Sequence, residues 1–108
     1  MASAVVVTPA SGSITHLSTA VEVTCTGAAS NTATGYDTTK YPTEPALDRY
    51  FKAALAGQPT LKSPVFNTNA AEVAEWHDVI FPAAGSWTVT LNFASDDSVD
   101  ATATVVVS

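Results

Sequence analysis

"FPAAGSWTVTLNFASDDSVDATATVVVS", residues 81–108, decides the fold. From Trp87 onward the stretch repeats every two residues. Trp87, Val89, Leu91 and Phe93 point one way, and Thr88, Thr90 and Asn92 point the other. Side chains of a β-strand alternate across the sheet, so this period is that of a strand with one apolar face. "ASDDS" is a polar turn, and residues 82–85 form another. After the turn Val99, Ala101, Ala103, Val105 and Val107 face the same way as the first inward set, with Thr102 and Thr104 outward. The pattern predicts a hairpin with one buried face. Burying Trp87, Leu91 and Phe93 alone contributes on the order of 6 kcal/mol, at about 2 kcal/mol each.

Working outward, Val21, Val23 and Cys25 alternate with Glu22, Thr24 and Thr26, which predicts a half-buried strand ended by Gly27. Residues 4–8 are a β-branched run closed by Pro9. Residues 47–56 fit both a strand and a short helix. The strand is preferred because the flanking elements are all β. Gly57-Gln58-Pro59 turns the chain, and "LKSPVFNTN" is a short extended piece because Pro64 biases Ser63 toward extended geometry. "NAAEVAEW" fits one helical turn with Asn69 as cap and Glu72 at the capping-box position. "EWHDVIF" alternates with Trp76, Asp78 and Ile80 on one face and Glu75, His77, Val79 and Phe81 on the other. The segment 28–47 holds Gly35, Pro42, Pro45 and many threonines, with little apolar period. It reads as one long irregular segment, with a short edge strand at 35–40 or a functional loop as the two alternatives. About seven short strands predict an all-β chain, a β-sandwich forming a single domain over 1–108. A small closed barrel is the alternative.

Composition narrows the function. Four basic residues stand against ten acidic ones, for a net charge of −6. Lys40, Arg49, Lys52 and Lys62 cannot make a phosphate-tracking patch, so neither nucleic acid nor an anionic membrane surface is expected as a partner. Charged residues are only 13% of the chain, so Thr, Ser, Asn and Ala cover much of the surface, which suits contact with other protein. With one cysteine, Cys25, no disulfide within the chain can form. "MASAVVVTPASGS" lacks the basic start and sustained apolar run of a signal peptide, and no stretch is long enough to span a bilayer as a helix. The expectation is synthesis and folding in a reducing cytoplasm.

Each group able to do chemistry has a plainer role. His77-Asp78 could be an oriented base, but neighbours on a strand point to opposite faces. His16 and His77 could share a metal, but no ligand spacing accompanies them. Asp96, Asp97 and Asp100 could hold Ca²⁺, yet they lack EF-hand spacing and suit a hairpin turn. Cys25 lies on an apolar face, where a small buried hydrophobe is expected. No catalytic residue, metal or cofactor is therefore expected. Tyr36, Tyr41, Tyr50 and Trp76 either cover the domain's own core or serve as aromatic anchors.

Three stretches carry a family likeness. "VVVTPASGSI" is similar to the Val-Thr-Pro first strand of bacterial and phage immunoglobulin-like domains. "AAGSWTVTLNF" resembles their Gly-x-Tyr-Thr-Val-Thr strand, with Trp87 where the tyrosine usually stands, and "DATATVVVS" resembles their final strand. The likeness covers under half of the chain, the middle departs from it, and the paired cysteines of antibody-type domains are absent. It implies an immunoglobulin-like β-sandwich. It further implies a virion protein of the kind that decorates or cements phage capsids, docked on the major capsid protein or another virion protein, with a homo-oligomer as a further arrangement. The residues expected in contact are Val5, Val6 and Val7, as a strand that can be donated, and Tyr36, Asp37, Lys40, Tyr41 and Pro42 in the irregular segment. The alternative is a phage tail or surface module that stacks carbohydrate on Tyr36, Tyr41 and Trp76.

Overall fold

The computed structural model describes residues 4–26, 48–67 and 75–108. Eight strands follow in chain order: β1 (Ala4–Thr8), β2 (Val21–Thr26), β3 (Asp48–Ala54), β4 (Leu61–Lys62), β5 (Phe66–Asn67), β6 (Glu75–Val79), β7 (Gly85–Phe93) and β8 (Val99–Val107). One antiparallel sheet runs β1-β2-β6. The other runs β4-β3-β7-β8, with β5 also on β3. Sequence neighbours are thus divided between two antiparallel layers, the arrangement of a β-sandwich and not of a closed barrel. Of residues 47–56, Asp48–Ala54 form β3, as their flanking context implied, while Leu47 and most of the helical turn expected at 69–76 lie outside the described residues.

The core forms between the layers. Val21, Val23 and Cys25 of β2 face Phe51 and Ala53 of β3, Trp87, Val89 and Leu91 of β7, and Val105 and Val107 of β8. Trp76 of β6 lies near-parallel to Phe51 of the facing sheet, with centroids 6.4 Å apart. Phe81 tilts against Trp87 at 5.1 Å. The Trp87 indole N–H donates to the Ala83 carbonyl four residues upstream, at 2.9 Å. The bond ties the start of β7 to the corner that precedes it.

Two bulges correct the strict alternation. In the β7–β8 ladder Leu91 faces Ala101 but Asn92 faces Val99, so Asp100 is an extra residue. Val99, expected inward, is 54% exposed, and Asp100 is buried in its place. In the β2–β6 ladder Val21 faces Val79 and Val23 faces Trp76, so β6 carries the extra residue, and Asp78 there has φ 56°. The bulge puts Trp76 and Val79 both toward the core, which the two-face split of "EWHDVIF" did not allow. Alternation counts residues, and a bulge changes the count without any signature in polarity.

The outer face of β7 is also less open than its threonines suggest. Thr90 and Asn92 point away from the main core, yet both are buried, as is Tyr50 beside them on β3. Gly85, at φ 147°, opens β7 against Leu55, whose Cδ2 would lie 2.9 Å from any added Cβ. Gly85→Ala therefore combines a backbone region reserved for glycine with a clash against a side chain packed on the core. The expected loss is about 2–3 kcal/mol, read as a lower urea midpoint. An unchanged midpoint would show that Leu55 yields freely.

Candidate interaction surfaces

The titratable groups that could do chemistry are taken up in local structure. Asp96 accepts from the Ser98 hydroxyl at 2.7 Å and the Ser98 amide at 3.0 Å, and these bonds hold its pKa below the usual carboxylate value. Asp97 accepts from the Tyr50 hydroxyl at 2.6 Å. That bond, then burial, then the Asp97 charge, push the phenol up to about 12. The Asn92 side-chain amide donates to the Asp97 carbonyl at 3.0 Å, and Thr90 donates to the Asn92 side-chain oxygen. The acidic turn is thus laced onto β3 and β7. Asp100, the third acid of "DDSVD", lies 3.5 Å from Arg49 Nε, with both side chains fully buried. Arg49 also sits over the Phe93 ring, 3.9 Å from its centroid. The three acids point to three different partners and make no common cage.

His77 is separated from the chemistry proposed for it as well. Its Nδ1 pairs with Glu22 and its Nε2 lies 2.8 Å from Glu75. The Asp78 amide, not its carboxylate, joins the group by donating to Glu22. The two glutamates approach opposite edges of the ring and converge on no common point. His16 instead donates from Nδ1 to the Ser108 carbonyl at 2.8 Å. Among the described residues no group of three or more His, Cys, Asp or Glu is placed to hold a metal ion.

The His77 pKa is raised, first by its bond to Glu22 and then by that carboxylate's charge; burial opposes them, and Glu75 adds lesser contributions through its charge and hydrogen bond. The folded state therefore favours the proton. The contribution is full below the ordinary histidine value of 6.5 and is lost as pH rises through the raised folded value. The stability difference between wild type and His77→Gln should be present just below that value, while the glutamates are still ionised, and should vanish in alkaline solution. A difference that grows with pH would reverse the assignment.

Of the residues expected in contact, Val5 and Val7 turn inward and pack against the domain's own core, and Val6 points out, 41% exposed. β1 pairs with β2 residue for residue, from Ala4 opposite Thr26 to Thr8 opposite Glu22. Tyr36, Asp37, Lys40, Tyr41 and Pro42 lie outside the described residues. Trp76 is half-buried against Phe51, and Tyr50 is buried, so neither is an open stacking platform.

Sequence reading did not single out Leu17 or Ile80 as contact residues. Leu17 is 69% exposed and has φ 62°. Its amide donates to the Phe81 carbonyl at 2.8 Å, and the preceding Ile80 is 41% exposed. Asp78 and Asp97 also have positive φ, but their short polar side chains tolerate that region, whereas a leucine there is strained. Nothing in "THLST" announces this. The conformation is imposed by the bonds that tie residues 15–19 to Phe81 and Ser108: His16 donates to the Ser108 carbonyl, and Thr19 to Thr15.

Among the described residues no helix is long and apolar enough to cross a membrane. Comparison with protein-family models, curated proteins and solved structures found no match for this chain.

Proposed function

We propose that this chain is a non-enzymatic structural protein of a virion, a capsid decoration or cement subunit that docks on the major capsid protein lattice and stabilises the particle. The virion assignment comes from the sequence likeness to phage immunoglobulin-like domains. The docking role is supported by one observation above the others: Leu17 is held in a strained backbone region with its side chain in water. A bulky aliphatic residue in that state costs twice, in backbone strain and in exposed apolar area. Contact with a partner removes the second cost. Ile80, the residue before Phe81, whose carbonyl holds the Leu17 amide, is also exposed.

Leu17→Gly and Leu17→Asp separate folding from docking. Glycine removes about 1–2 kcal/mol of left-handed strain but adds about 0.5–1 kcal/mol of unfolded-state entropy. Stability should therefore stay level or rise by up to about 1 kcal/mol. Wild type should co-sediment with purified particles alongside the major capsid protein, and both variants should bind about tenfold or more weakly, as the loss of one buried leucine requires. A chain absent from the particles would defeat the virion assignment. Variants that bind like wild type would remove Leu17 from the contact.

A further inference from the structure

Among the described residues the two sheets present five edge strands, β1, β4, β5, β6 and β8, and four of them are defended. The edge of β8 is covered at its C-terminal end by residues 12–16 and broken further up by the bulge at Asp100: Gly12 donates to the Val106 carbonyl at 3.0 Å, Ser108 to Ile14 at 2.9 Å, and His16 to Ser108 at 2.9 Å. Ile14 runs parallel to Val107 there. β4 and β5 are two residues long each, and β4 carries Lys62. β6 carries Glu75, His77 and Asp78 and is bent by its bulge. Short length, charge, proline and bulges are the devices that keep sheet edges from pairing. Among the described residues β1, which Pro9 follows, has none of them within its five positions. Its sequence Ala-Val-Val-Val-Thr holds no charge and no proline, its five-residue ladder with β2 is regular, and it is the end strand of its sheet.

We propose that two copies of this chain pair through β1, antiparallel about Val6, to join their three-stranded sheets into one of six strands. The occupant follows from the sequence of the edge. In an antiparallel two-fold pairing Val6 faces its own counterpart, Val5 faces Val7, and Ala4 faces Thr8. No like charges are opposed, whereas β6 paired with itself would bring its own charges together. Val6, now 41% exposed, gains a β-branched cross-strand partner, and Val5 and Val7 continue the inward row into the second copy. The backbone groups on the open side of β1 find partners in the same step. The docking end at Leu17 is a separate surface, so this pairing does not depend on the virion reading.

Analytical ultracentrifugation tests it directly. The 11.1 kDa chain should sediment at twice its mass when concentrated. Val6→Lys should sediment at the single mass with an unchanged circular dichroism spectrum, since Val6 faces outward on a folded monomer. Register is tested by cysteine. In a Cys25→Ala background, Val6→Cys should form an intermolecular disulfide on mild oxidation, because facing residues of antiparallel strands lie about 4.5–5.5 Å apart at Cα, within disulfide reach. Thr8→Cys should not, because its partner position is Ala4. A wild-type chain that stays at the single mass, a dimeric Val6→Lys, or Thr8→Cys cross-linking as fast as Val6→Cys would each overturn the proposal.

Discussion

Arg49→Ala should destabilise the fold by about 3–5 kcal/mol, and Asp100→Ala by a similar amount. Arg49 and Asp100 are paired at 3.5 Å with no side-chain exposure, at the end of the core beside Phe93. Two charges out of water are tolerable together because each offsets the desolvation of the other. Removing one takes this ion pair from the other while it stays buried, and that is where the large cost arises. The pair itself contributes little relative to apolar residues of similar size. The double variant Arg49→Met with Asp100→Val should therefore recover most of what either single variant loses. Urea unfolding followed by tryptophan fluorescence measures all three. Single-variant losses below about 1 kcal/mol would mean that water reaches the pair.

Trp87→Ala should cost about 3–5 kcal/mol. Trp87 is fully buried, packs against Phe81 and anchors the corner before β7 through Ala83. Trp87→Phe separates the two contributions. It keeps most of the apolar volume but leaves the Ala83 carbonyl without its indole donor, for a loss of about 1–2 kcal/mol. If phenylalanine cost as much as alanine, the hydrogen bond and not the packing would dominate. If it cost nothing, the corner would be held by its backbone alone.

These two sites differ in how they could be read beforehand. Trp87 was legible: a period-two run with a large ring at its head has one consistent placement. Arg49 was half-legible. As a strand, residues 47–56 put Arg49 two positions from Phe51 and so on the same face, and in β3 both are buried. Its partner was not legible. Asp100 belongs by simple alternation to the outward set, and the bulge after Leu91 turns it inward. The same arithmetic misplaced Val99, and a second bulge at Asp78 misdirected the faces of β6.

Local composition, then, determined the strands, the two-layer class, the inward row of β7 and the buried state of Cys25. Those depend on near neighbours, and a period of two is visible in any one strand. Tertiary structure alone decided which acid meets Arg49, that Glu22 and Glu75 hold His77, that Leu17 is forced into water, and that β1 is the edge left undefended among those described. Each of these requires residues distant in the chain to be brought side by side. A bulge or a strand order alters such meetings while leaving the local pattern of polar and apolar residues unchanged.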